Sequence, residues 1–129
     1  MEAFMPVNIK VIRPKDFIKT TVTGVLDFAV SRQALLDIAS QIEQPGEYEI
    51  LVDTREAETV LSMIDIFQLG EALAAHPSLR LSKIAFLKSM KDGQQAEFFE
   101  TITANRGVRA QVFTDFEEAV TWLVMHEAV

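Results

Sequence analysis

Apolar positions along this chain recur with a period of two in some stretches and of three to four in others, and the switching between the two rhythms lays out an α/β domain. Val7 to Ile12 and Phe17 to Val22 read as two strands, with Pro14-Lys15-Asp16 as turn chemistry between them. Alternation through Asn8-Ile9-Lys10-Val11 predicts one wet face at this edge, and Gly24 ends the second strand. A helix then starts between Asp27 and Ser31, turns Leu35, Ile38, Ala39 and Ile42 inward, and stops at Pro45-Gly46. Glu49-Ile50-Leu51-Val52 and Lys83-Ile84-Ala85-Phe86-Leu87 are compact apolar runs, the pattern of central strands covered on both faces. Between them the pattern predicts an irregular stretch, Asp53 to Leu61, and a helix from about Ser62 to Ala75. Its inner face is read as Met63, Ile66, Phe67, Gly70, Leu73 and Ala74, with Gly70 allowing close packing; His76-Pro77 ends it.

After a loop from Lys88 to Gly93, a helix from about Gln94 to Arg106 buries Phe98, Phe99 and Ile102, and Gly107 takes the C′ position. Val108 to Phe113 forms the last strand. Thr114 then caps a helix, with Glu117 closing a capping box and Phe116, Ala119, Val120, Leu123 and Val124 on the buried stripe. Trp122 lies beside that stripe, so part of its ring stays near the surface. The element order is ββαβαβαβα, an α/β fold with one mixed sheet of about five strands and about four helices.

The chain's 129 residues fit one domain, and 49% of them are hydrophobic, which excludes general disorder. There is no cysteine, which removes disulfides, thiolate nucleophiles and iron–sulfur clusters. A formal charge of −7 argues against nucleic acid and anionic membrane as general partners. Lys10, Arg13, Lys15 and Lys19 form a basic cluster that either guards a sheet edge or docks an acidic partner. No apolar stretch reaches the ~20 residues of a membrane helix. Met1 to Pro6 lacks signal-peptide character, so a cytoplasmic location is the expectation.

Catalytic signatures are sparse. The glycines are too scattered for a phosphate-cradling loop, and neither His76 nor His126 has a neighbour at metal-ligand spacing. Asp53, Glu56 and Glu58 share one predicted loop but lack cation-loop spacing, while Glu97, Glu100, Glu117 and Glu118 are read as outward. No metal and no cofactor are implied. Position offers more, because open α/β sheets collect ligands beyond the carboxyl ends of their strands. Those ends carry Asp53-Thr54-Arg55, Lys88-Ser89-Met90-Lys91 and Thr114-Asp115. Arg55, Lys88 and Lys91 therefore fall on the side of three helix N-termini, a setting that favours an anion. The alternative is that Asp53 and Thr114 cap turns and the cations are solvated.

Three stretches, Tyr48 to Arg55, Lys83 to Leu87 and Val112 to Leu123, with a phenylalanine-rich helix from Ala96 to Arg106 before the last, resemble the SpoIIAA-like branch of the STAS superfamily, often labelled STAS/SEC14-like. The resemblance covers nearly the whole chain. It implies a small non-enzymatic switch in which a serine or threonine at the start of the second helix is phosphorylated to break a partner contact. Ser62 falls near that position, although Thr59-Val60-Leu61-Ser62-Met63 lacks the Asp-Ser-Ser-Gly framing of the relatives, and Ser62 also reads as an N-cap with Asp65 three residues on. The SEC14-like label implies instead an apolar ligand or weak membrane contact, with Trp122 as one candidate wall. Two functional classes stay open: a binding or regulatory module acting through a protein partner or small ligand, and a carrier or sensor of an apolar, lipid-like molecule. A homodimer is compatible with either.

Overall fold

The computed structural model describes residues 7–12, 17–42, 48–90 and 95–125. Its elements are β1 (Val7–Ile12), β2 (Phe17–Leu26), α1 (Phe28–Ser40), β3 (Glu49–Thr59), α2 (Met63–Ala75), α3 (Pro77–Arg80), β4 (Lys83–Leu87), α4 (Gln95–Asn105), β5 (Arg109–Phe113) and α5 (Phe116–Val124). They form one five-stranded sheet in the order β1-β2-β3-β4-β5. β1 pairs antiparallel with β2, and every later pairing is parallel. The mixed α/β fold follows the expectation, with one more helix, because Pro77 at the first position starts the short α3 beyond His76. The turns expected at Pro14-Lys15-Asp16 and Pro45-Gly46 lie outside the described residues.

The sequential strand order decides where the helices go. Each parallel crossover advances by one strand in the same direction, and a consistent hand then sends every connecting helix to the same face. α1, α2 and α4 pack together over that face, on a core that includes Ile18, Val22, Ile38, Ile50, Val52, Leu73 and Ile84. α5 follows the last strand without a crossover and covers β3, β4 and β5 from the other side, through Leu51, Ala85, Leu87, Ala119 and Leu123. Leu51 and Ala85 are fully buried between these layers, as the continuous apolar runs predicted.

Several inner faces differ in phase from the sequence reading. α1 buries Leu35, Ile38 and Ala39, with Ile42 just beyond it, as expected, and adds Ser31 and Ala34. In α2 the buried residues are Ile66, Leu69, Gly70 and Leu73, whereas Met63 and Phe67 face outward. Gly70 does bring helices close: a Cβ there would stand 2.6 Å from Ile102 Cγ2 on α4. In α4 the buried side chains are Ile102 and Thr103, while Phe98 and Phe99 are half-buried. Asp115, not Thr114, caps α5 by accepting the Glu118 N–H at 2.9 Å, because its carboxylate reaches the third amide of a helix that starts one residue later. Phe116 and Val124 are exposed, so α5's stripe narrows to Ala119 and Leu123. Glu100 is not simply outward; its carboxylate accepts the Val112 N–H of edge strand β5 at 2.7 Å.

Candidate functional site

The stretch expected to be irregular, Asp53 to Leu61, is mostly strand. β2 and β3 stay paired beyond the sheet's centre: Thr21 meets Asp53 and Thr23 meets Glu56, so Thr54 and Arg55 stand opposite the single residue Val22. That extra residue is a β-bulge on β3. It reverses the facing of everything after it. Ile50, Val52 and Thr54 face the three-helix layer before the bulge, and Ala57 and Thr59 face it afterwards. Gly24 does not end β2. It takes a positive φ of 81° alongside this irregularity, and the strand runs on to Leu26.

Asp53 fixes the bulge. Its Oδ1 accepts the Arg55 backbone N–H at 3.1 Å and the Arg55 Nε at 3.0 Å, while Oδ2 accepts Nη2 at 2.9 Å. Burial is the largest single influence on the Asp53 carboxyl and pushes it up. The Arg55 hydrogen bonds, with the charges of Arg55 and Lys19, together outweigh it and hold the carboxyl below its ordinary value. Arg55, bonded to Asp53, stays protonated. Its guanidinium and the Lys19 ammonium lie 5.9 and 5.7 Å from the centre of the exposed Phe116 ring. Asp53 and Arg55 thus belong to the α5 side of the sheet.

The other face holds a cavity of about 160 Å³ beneath α1, α2 and α4. Its walls include Val22, Leu26, Leu35, Ile38, Leu69 and Phe99, with Phe99 set edge-on against Phe86 at 5.1 Å. Among the described residues, the polar side chains on the lining are Ser31, Thr54, Thr59, Lys88 and Gln95. Thr54 Oγ1 donates to the Leu87 carbonyl and Gln95 Nε2 to the Leu61 carbonyl, both at 3.0 Å. Lys88 Nζ donates to the Ser89 carbonyl at 3.3 Å. The Ser31 hydroxyl is only 9% exposed and finds no hydrogen-bond partner among the described residues. Among the described residues, Lys88 is the single charged residue on the lining.

The residues singled out in the sequence are therefore divided by the sheet. Thr54 and Lys88 line the cavity, Asp53 and Arg55 face α5, Thr114 is exposed at the start of α5, and Lys91 lies outside the described residues. Trp122 packs beside Phe113 on the α5 side, away from the cavity, with the Lys83 ammonium 4.6 Å from its ring centre. That buried lysine donates to the carbonyls of Trp122 and Met125 and so caps the C-terminus of α5. Ser62 is an exposed N-cap: its hydroxyl accepts the Asp65 N–H at 3.1 Å, and Asp65 accepts the Ser62 N–H at 3.0 Å. Sequence reasoning passed over Ser31 and Lys83. The signal for Ser31 was its spacing of four and seven residues before Leu35 and Ile38, which puts a hydroxyl on an apolar stripe.

His126 and, of the basic N-terminal cluster, Arg13 and Lys15 fall outside the described residues. Among those described, no group of three or more His, Asp or Glu is placed to hold a metal ion, and no helix is long and apolar enough to cross a membrane. Comparison with protein-family models and with characterised proteins finds no match. The chain is similar to a solved structure of an uncharacterized DUF3478-family protein with a SpoIIAA-like fold from Shewanella loihica PV-4. The two share 19% identity at a TM-score of 0.58, over 95% of this chain and 98% of that one. The fold is SpoIIAA-like.

Proposed function

We propose that this SpoIIAA-like chain is a non-enzymatic binding module that encloses a small apolar molecule between its helix layer and its sheet, as a carrier or sensor. The supporting observation is the apolar cavity under α1, α2 and α4. Protein interiors pack at crystal-like density, and an unfilled apolar space forgoes the contacts its lining would otherwise make. A domain shaped for stability alone closes such a space. Native mass spectrometry of protein purified from its own source tests the reading. A bound small molecule released on activation is expected, and preparations consistently at bare mass would count against it.

A second reading, a STAS-type contact with a protein partner, is favoured by Val60, Met63, Ile64 and Phe67. These exposed side chains cluster on and beside the first turns of α2, next to Ser62, and Ile64 is 69% exposed. Phosphorylation of Ser62 would put charge against that apolar patch. Aspartate caps a helix as well as serine does, so Ser62→Asp should leave stability intact while abolishing partner capture. Normal capture by that variant would argue against the switch.

A further inference from the structure

We infer that the cavity is loaded from its α4 side, beneath the amino-terminal half of that helix, and that Phe99 sets the size of molecule admitted. The inference rests on the apolar-ligand reading above and gives it an entrance and an upper size limit.

Exposure locates the entrance. Every described lining residue from β2, α1 and α2 is buried, whereas every one from β4, α4 and β5 is half-buried. Val52, Phe86 and Val112 stand in register across the sheet and show the change along one row. Val52 is 4% exposed, while Phe86 and Val112 are half-buried. The Phe86 ring meets Phe99 of the helix layer, and β4 has a strand on each side. Solvent therefore reaches that ring through the gap between α4 and the strand ends. Lys88 and Gln95, polar lining residues on this side, are half-buried as well, which suits the wet rim of an opening.

Packing shows which part of α4 can yield. Toward the carboxyl end, Ile102 and Thr103 are buried, Gly70 of α2 lies against Ile102, and Arg106 pairs with Glu71 at 3.4 Å. In the middle of the helix, Glu100 holds the Val112 N–H. Ahead of Glu100, the side chains of Gln95, Ala96, Phe98 and Phe99 are all half-buried. This half is tied down by the Gln95 bond to the Leu61 carbonyl and by the edge-on contact of Phe99 with Phe86. Segments with few buried apolar contacts open at low cost, so the amino-terminal half can lift while the α2–α4 packing stays in place. Phe99 belongs both to the lining and to the contact that must part, which makes its ring the gate. The space behind it, about 160 Å³, is close to the ~150 Å³ that encloses benzene. A single-ring molecule fits there; a fused two-ring molecule does not.

Fluorine exchange NMR of the full chain with fluorobenzene and fluoronaphthalene tests this. Fluorobenzene should bind the unaltered chain, and fluoronaphthalene should bind only once Phe99 is shortened. Phe99→Ala should raise the association rate constant of fluorobenzene at least about tenfold, because the edge-on pair no longer has to part. Phe99→Leu should give a smaller rise and keeps the test open should the alanine variant fail to fold, which two-dimensional NMR spectra establish. Leu35→Ala removes bulk from the buried α1 wall, away from the entrance, and should leave that rate constant within about twofold. Equal acceleration by Leu35→Ala, or none by either Phe99 variant, would overturn the entrance while sparing the apolar-ligand reading. Fluoronaphthalene binding to the unaltered chain, or to neither chain, would overturn the size role of Phe99. Absence of fluorobenzene binding would overturn the inference and the reading beneath it together.

Discussion

Gly70→Ala sets two opposing effects against each other at the contact between α2 and α4. Alanine is the better helix former by about 1 kcal/mol, so on an exposed helix the change would stabilise. At Gly70 the new methyl would stand 2.6 Å from Ile102 Cγ2 and 3.5 Å from Ile102 Cβ. Carbon atoms in good contact sit roughly 3.5–4.0 Å apart, so the methyls must part by about 1 Å. Ile102 cannot supply that by rotation, since a β-branched residue in a helix has one strongly preferred χ1. Beside it, the fully buried Thr103 is tied to its own helix by bonds to the Phe99 and Glu100 carbonyls. α4 must therefore retreat, at an overpacking cost of ~1–3 kcal/mol. The short distance points to the upper end of that range, giving a net loss of about 2 kcal/mol in urea denaturation. A double-mutant cycle isolates the cause. Ile102→Ala alone should cost ~2–5 kcal/mol, and in that background Gly70→Ala should become stabilising by about 1 kcal/mol, because only the helix-propensity gain remains. Equal destabilisation in both backgrounds would refute the steric account.

Other outcomes follow from the same structure. Leu51→Ala should cost ~2–5 kcal/mol, because Leu51 is fully buried beneath α5, and a denaturation midpoint that barely moved would remove β3 from the sheet's centre. Ser62→Ala should cost ~0.5–2 kcal/mol through loss of the capping box, measured against an unchanged Ser62→Asp. Asp53 binds its proton more weakly in the folded state than in the unfolded one. Its contribution to stability is thus fully present above about pH 4 and fades as pH falls through its lowered pKa. Asp53→Asn should lower the urea midpoint at pH 7 and flatten the acid limb of the stability profile; profiles that run parallel down to pH 2 would contradict this.

The parts of the fold legible in the sequence were those set by local periodicity and capping. Leu35, Ile38 and Ala39 in α1, Leu51 and Ala85 in the central strands, and the Ser62–Asp65 box all follow from spacing alone. The bulge at Thr54 and Arg55 was not legible, because one extra residue cancels the period of two and makes a continuous strand read as a loop. Phe67 and Met63 were misplaced because apolar residues on a helix are ambiguous when two adjacent stripes both carry them. The candidate site was only half legible for a topological reason. A search beyond the strand ends suits a sheet whose order reverses and opens a crevice there. Here the order never reverses, so the space forms between helices and sheet instead. Of the described residues at the strand ends, only Thr54 and Lys88 lie on its side.

The bond from the β5 N–H of Val112 to Glu100 has a bearing on how copies of this chain behave when crowded together. An edge strand offers unpaired amides to any passing strand, which is how ordered aggregates begin. The side chain that engages this amide belongs to the helix leading into β5, so the edge is guarded by its own preceding element from the moment the two dock. A strand arriving from another molecule must first break a short, charge-assisted hydrogen bond and leave a half-buried carboxylate without that donor. The guard restrains growth of the sheet into a fibril without adding a single residue to the chain.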